Sequence, residues 1–414
     1  MPGGERDLTV AVTGPTGTFG FGLIPLLQAD NRVARIVGIA RRPFDPAAYG
    51  WTKMEYHRGD VRDPGALQAA FAGADVVVHL AFLVTGAASR EAIESVNVEG
   101  TLNVFRAAAA AGARRFVYSS SVAAYGFHPD NPIGMTEDWP VRPAARLFYA
   151  QEKAELERLL RAEAAARSAG PALYLLRPSI VLGPHAVGAK GQLPEALAPL
   201  ARRLAGRAGR LPVPVPVLVP ALPLQLVHEE DVGQALLLCV LGAGPPGAYN
   251  VAADGILTAT DIAREAGMLP LPLPVRPAQL VALTMAALPF LPPVAQWVEA
   301  ASHPAIMETT RAKQELGWAP RFTALEALRD TLRRQPEPEP DPHPPVRSRS
   351  GRDGDEVDDD GVSRPSDQEV DERGEPPAPR EGRPVILADQ AAALLEMEAR
   401  LGAQRHDGVS SGTA

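Results

Sequence analysis

The chain has 414 residues, 46% of them hydrophobic, and a formal net charge of −8. That length and apolar content support one large buried core with appendages, or two domains, and the acidic balance gives no basis for charge-driven nucleic-acid binding. A single cysteine, Cys239, excludes an intrachain disulfide and suits a reducing, cytoplasmic setting.

The opening MPGGERDLTVAV carries charges and runs straight into a strand-like segment, which leaves no room for a signal peptide. Short apolar runs then alternate with helical patterns. Strands are expected at 8–14, 34–40, 53–60, 74–81, 114–121, 172–179 and 247–253, with helices between them, notably 90–112 and 146–168. This alternation predicts a parallel sheet covered on both faces.

The first strand leads into VTGPTGTFG at 12–20, where Gly14, Gly17 and Gly20 are spaced G-x-x-G-x-x-G. Glycines here let the backbone turn tightly, approach a pyrophosphate, and pack helix on strand. The N–H groups that open the next helix favour phosphate. The second strand ends GIARRP at 38–43, with Ala40 where a site for NAD ribose commonly carries an acid. Arg41 and Arg42 follow it, and an arginine there pairs with a 2′-phosphate. The pattern favours NADP, with NAD as the alternative.

Further along, Tyr149 and Lys153 in FYAQEKAEL stand four residues apart, the spacing that shares a helix face. The same spacing also arises on ordinary solvated helices, so alone it decides nothing. From about residue 185 the alternation gives way to Pro, Leu and Ala. The stretch 211–227, LPVPVPVLVPALPLQLV, reads as an extended loop over an apolar site. Residues 277–298 carry no charge and are long enough to cross a bilayer. Pro289, Pro292 and Pro293 break that pattern, so a buried or lid-forming helix is expected instead. Residues 336–384 hold almost no large apolar side chains and are expected to be disordered. The last periodic segment, 385–404, places Leu387, Ala391, Leu394 and Leu401 on one helix face. It is read as a tethered helix that binds its own domain, binds an unknown partner, or docks nowhere.

Taken in order, TGPTGTFG, GDVRD (59–63), VVVHLA (76–81), NVEGTLNV (97–104), FVYSSSVAAYG (116–126), YAQEK (149–153), LRPSIVLGP (176–184), LVHEEDVGQAL (226–236), YNVA (249–252) and TTRAKQELGWAPRFT (309–323) resemble the extended short-chain dehydrogenase/reductase family, the NAD-dependent epimerase/dehydratase group. The resemblance spans residues 8–333. It implies an α/β, Rossmann-type doubly wound parallel sheet with a small C-terminal substrate-binding part. The expected divisions are a cofactor domain at 1–184, a substrate part at 185–335, the linker at 336–384 and the helix at 385–404. The resemblance also implies pairing of two copies through the helices at 90–112 and 146–168.

It implies roles as well. Tyr149 falls on the family's acid/base tyrosine and Lys153 on its partner, whose charge would lower the tyrosine pKa toward working pH. Ser121, with Ser120 as the alternative, would hold the substrate oxygen. Asn97 falls on a residue that supports the helix and an active-site water in relatives, in a catalytic or a purely structural role. Gly14, Thr16, Gly17, Phe19, Gly20, Arg41, Arg42, Asp60, Val61, Leu80 and Ala81 would contact the cofactor, as would Tyr149, Lys153, Arg177 and Pro178. His228 and Asp231 fall on a mainly structural motif, and Tyr125 reads as a core residue. No metal is expected.

Three reactions compete. The acidic pair of the dehydratases is absent from SSSVAAYG, which sets dehydration aside. The arginine that holds a diphosphate in many nucleotide-sugar epimerases is replaced by Leu224 and Gln225. A small, less polar carbonyl or alcohol substrate is therefore expected, with nucleotide-sugar epimerisation as the alternative. A non-catalytic NAD(P)-binding scaffold is the remaining reading, and the retained tyrosine, lysine and serine argue against it.

Overall fold

The computed structural model describes residues 7–84, 90–145, 147–186, 216–220, 222–273 and 303–333. All of them fall within one unit, Met1–Pro345. The apolar segment at 277–298, the linker and the terminal helix proposed from sequence lie outside the described residues.

Within the described residues the apolar runs become strands and helices of the expected type. In chain order these are β1 (Leu8–Thr13), α1 (Thr18–Ala29), β2 (Val33–Ala40), β3 (Met54–Arg58), α2 (Pro64–Ala70) and β4 (Val76–His79). Then come α3 (Arg90–Glu94), a π turn (Ser95–Glu99), α4 (Gly100–Ala110), β5 (Arg115–Ser119), α5 (Phe148–Ala165) and β6 (Ala172–Pro178). The later elements are β7 (Ile180–Leu182), β8 (Pro216–Pro220), β9 (Pro223–Leu224), β10 (Leu226–His228), α6 (Glu229–Val240), β11 (Gly247–Val251), β12 (Leu257–Thr258), α7 (Ala259–Glu265), β13 (Leu269–Leu273), α8 (Thr310–Glu315) and α9 (Ala324–Arg333).

Seven strands pair in the order β11-β6-β5-β4-β1-β2-β3, and every pairing is parallel. Both faces are buried because side chains alternate along each strand. In β1, Val10 and Val12 join Leu23, Ile24, Val232 and Leu236 in one core cluster. Ala11 faces the other way, into a cluster with Val77, Phe105, Phe116 and Leu156. Burying each large side chain contributes about 1.5–3 kcal/mol. Strand order reverses between β1 and β4, the place where open α/β sheets form a ligand crevice at their carboxyl ends.

Two glycines set how closely the helices on the first face approach. A Cβ at Gly22 of α1 would stand 2.2 Å from the Glu229 carbonyl oxygen, and one at Gly233 of α6 would stand 2.1 Å from that of Gly22. The C-terminal part is tied on through α6. His228 caps that helix by accepting from the Glu230 N–H, and its Nε2 lies 3.1 Å from Asp330. Asp231 accepts the Arg321 and Phe322 N–H groups. Both residues are therefore structural. The described part of the proline-rich stretch is extended, as expected, with β8 running parallel to β13.

Candidate active site

A cavity of about 630 Å³ opens where the strand order reverses. At one end lies the glycine turn. Gly14 has φ +68°, and a Cβ there would meet the Ala81 backbone at 2.8 Å. Gly20 is closed off by the Pro15 carbonyl at 1.9 Å. Gly17 differs: the one atom near its Cβ position is the Gly14 oxygen at 3.5 Å. Gly17 also caps α1 without a side-chain hydrogen bond, and no acid occupies the first turn. The turn thus presents bare backbone and a helix N-terminus to the cavity, a cradle that fits a pyrophosphate.

The other expected cofactor residues divide. Gly14, Gly17, Phe19, Leu80, Ala81 and Pro178 line the cavity. Thr16 does not, and Thr18 lines it instead, its hydroxyl donating to the His185 carbonyl at 2.7 Å. Val61 is buried against Gly100 and belongs to the core. Asp60 is ion-paired to Arg62 at 2.8 Å, and that hydrogen bond holds its carboxyl below the usual range. Arg41 and Arg42 are exposed at the end of β2, and Arg41 adds to the positive field on Asp60.

At the far end of the same cavity stand Ser121, Tyr149 and Lys153. Tyr149 and Lys153 share a face of α5, one turn apart. Ser121 sits just past β5, accepts the Ala123 N–H at 3.1 Å and hydrogen-bonds the Tyr149 phenol. Ser120 points the other way, donating to Glu157 at 2.6 Å in the protein interior. That separates the two serine candidates: neighbours at a strand end face opposite sides, and Ser121 is the one on the cavity.

Lys153 is 4% exposed. Its Nζ donates to the Ser119 carbonyl at 2.8 Å and lies 3.6 Å from the centre of the Phe82 ring. Burial holds its pKa down to about 7, against the pull of Glu152 and Glu157. The expected lowering of the Tyr149 pKa is not present. Burial raises it, opposed by the Ser121 hydrogen bond. The reason is geometric: Lys153 is drawn toward Ser119 and Tyr118, and its Nζ is 5.8 Å from the Tyr149 ring centre. Tyr149 is thus a protonated phenol at neutral pH, suited to donate.

Two further expectations need correcting. Arg177 is not a cofactor contact: it is 2% exposed and forms a two-pronged ion pair with Glu157, at 2.8 and 2.5 Å, while also donating to Tyr125. That network, with Tyr125 donating on to Asn250, locks α5 against β6 and β11. Tyr125 is accordingly a core residue. Asn97 does not reach the cavity wall. Its amide is taken up by the Leu83 N–H, the Leu83 carbonyl and Glu152.

One residue escaped the sequence reading. His79 ends β4 fully buried, its Nδ1 2.6 Å from the Thr13 hydroxyl and its Nε2 2.8 Å from that of Thr101. Burial lowers its pKa to about 3, so it stays neutral and pins β1, β4 and α4 together at the crevice. The signal was a lone histidine closing a run of three valines. No cluster of metal-binding side chains occurs among the described residues, and none of their helices is long and apolar enough to cross a membrane.

The wall beside Tyr149 is apolar, with Val84, Phe127, Ile180, Leu224 and Pro304 among its residues. Among the described residues Lys153 is its one lysine, arginine, aspartate or glutamate. The Gln225 amide pairs with both main-chain groups of Met307, at 2.9 and 2.8 Å, which removes it as a free hydrogen-bonding group.

Residues 10–252 match the model of the NAD dependent epimerase/dehydratase family. An uncharacterized protein of Mycobacterium tuberculosis is 30% identical over 349 residues, covering 83% of this chain and 88% of its own length. Sterol demethylase protein B of Methylococcus capsulatus is 32% identical over 179 residues, 43% of this chain and 52% of that protein. Among solved structures, the UDP-glucose 4-epimerase of Thermotoga maritima with UDP-glucose superposes with a TM-score of 0.59 at 20% identity, covering 78% of this chain and 97% of that one. The family's description names NAD and lends no support to a preference for NADP.

Proposed function

The chain belongs to the NAD dependent epimerase/dehydratase family, and from that premise we propose that it is an oxidoreductase acting at a carbonyl or carbinol carbon of a small, predominantly apolar molecule. The observation that carries this reading is a single cavity lined both by the bare glycine turn and by Ser121, Tyr149 and Lys153. The glycine turn would hold a nicotinamide nucleotide, which would supply hydride chemistry. The chain's own residues do the rest. Ser121 holds the substrate oxygen by its hydroxyl, and the Tyr149 phenol gives that oxygen a proton in reduction; in oxidation it is the phenolate form, reached at higher pH, that takes the proton. Lys153 fixes the local charge and orients the nucleotide. The apolar wall excludes water and selects an apolar body.

The diphosphate of a nucleotide sugar needs cationic partners. Among the described residues the wall offers none beyond Lys153, and Gln225 is already committed to Met307. The partial likeness to a sterol demethylase protein is in keeping with an apolar substrate. The likeness to a UDP-glucose 4-epimerase favours the second reading, nucleotide-sugar epimerisation, through the shared fold.

The test is Tyr149→Phe, which removes the proton donor and keeps the ring. Turnover should fall at least about a hundredfold, while the nucleotide Kd, read by fluorescence, changes little. Near-normal turnover in the variant would remove Tyr149 from the chemistry.

A further inference from the structure

Directly before Lys153 stands a second buried charge, Glu152, 5% exposed. Consecutive residues on a helix diverge by about 100°, so while Lys153 faces the cavity, Glu152 turns toward the stretch between β4 and α4. There its Oε2 accepts from the Asn97 amide at 2.9 Å. Its Oε1 is buried with no hydrogen-bond partner among the described residues. Asn97 belongs to the π turn Ser95–Glu99. The extra residue of such a turn re-aims a side chain, and π turns are frequent at functional sites. Here it lets one amide engage Glu152 and both main-chain groups of Leu83 at once.

Leu83 follows Phe82, and Phe82 is the ring that covers Lys153. Its centre lies 3.6 Å from Nζ, and the ring stands edge-on to Tyr149 at 5.7 Å and 89°. The chain of contacts therefore runs Glu152, Asn97, Leu83, Phe82 and then the Tyr149–Lys153 pair. A buried carboxylate joined to that chain acts on Lys153 in two ways: through the covering ring, and through a field that little water screens.

We propose that Glu152 is a positioning residue for the Tyr149–Lys153 pair: its carboxylate, clamped by Asn97, fixes the Phe82 cover and supplies the negative charge that keeps Lys153 protonated. The proposal rests on reading Tyr149 and Lys153 as the acid–base pair. The charged and titratable groups around the site define what else acts there. Lys153 faces Glu157 on its own helix, Tyr118 from β5 and His79 from β4. Glu152 faces Arg90 and Glu94 from α3. Glu157 also raises Lys153 but is itself ion-paired with Arg177, and His79 is uncharged, so of the two carboxylates acting on Lys153 Glu152 is the one without an ion pair among the described residues.

The test measures the protonation of Lys153 without relying on turnover. The full chain is exposed at a series of pH values to trace acetic anhydride, which reaches Lys153 through the cavity. Acetylation of that residue is then read by peptide mass spectrometry. In Glu152→Gln the pH of half-maximal reactivity should fall by about one unit or more, the scale of losing one nearby opposite charge. Glu152→Asp should restore it most of the way. Should the glutamine variant fail to fold, Glu152→Met reads the same shift, the Asn97 amide keeping its bond to the Leu83 carbonyl. A half-point unmoved or raised on loss of the charge, or not restored by Asp, overturns the proposal. Because the label reports the lysine itself, a Tyr149→Phe variant that stays active would sink the catalytic reading without altering this result.

Discussion

Single residues carry the chemistry, and their surroundings decide which ones. Three serines end β5 in sequence, yet only the alternation of a strand separates them: Ser119 and Ser121 reach the cavity, while Ser120 is spent on Glu157. The arginines after β2 pose a sharper test. Arg41 is exposed near the Asp60 carboxylate, and a 2′-phosphate is the nucleotide group that pairs with an arginine there. If it performs that task, Arg41→Ala should weaken NADP by about 1.5–3 kcal/mol, the worth of a hydrogen bond to a charged group, and leave NAD nearly unchanged. Fluorescence titration of both nucleotides reads the difference. Equal losses, or a wild-type preference for NAD, would place Arg41 outside nucleotide recognition. The Tyr149–Lys153 spacing was legible in sequence, but the direction of the tyrosine's pKa was not. It depends on Lys153 turning toward the Ser119 carbonyl, which no spacing reveals.

Elements were the most legible level. Short apolar runs marked the central strands of the large sheet, such as VAV in β1 and VVV in β4, because a strand buried on both faces needs a continuous apolar run. Contacts between elements were less so. Gly22 reads as one more residue of α1, and its partner Gly233 lies far away in sequence, so their backbone contact is invisible before folding. Arg177 misled for the same reason: its partner Glu157 is on another element, and a strand-end arginine looks like a ligand contact until that ion pair is seen. Two alanine substitutions separate the two uses of glycine. Gly233→Ala should lower stability by about 1–3 kcal/mol or more, the cost of overpacking, with nucleotide affinity in the surviving folded protein near normal. Gly17→Ala, where φ is −90° and the added methyl meets the Gly14 oxygen at an ordinary 3.5 Å, should leave stability nearly unchanged and weaken the nucleotide strongly. Denaturation midpoints and nucleotide titrations together check both. A stable Gly233→Ala or a tight-binding Gly17→Ala would contradict the assignment.

For the whole molecule, the fold sets one crevice and the substrate side fills it with apolar wall. The doubly wound sheet was expected from the ordered motifs that resemble the family, and such sheets form a crevice where their strand order reverses. The substrate was not, because the cavity wall includes segments such as 223–225 and 303–305, which reach it from distant parts of the chain and carry no motif of their own. Net hydride transfer on an apolar alcohol or carbonyl is read directly from reduced-nicotinamide absorbance. The full chain is mixed with NAD or NADP and a panel of apolar secondary alcohols, with UDP-sugars in parallel, and absorbance is followed while products are identified by mass spectrometry. Absorbance should grow with at least one apolar alcohol and stay flat with the sugars. A flat trace throughout, with a UDP-sugar converted to its epimer, would contradict the account.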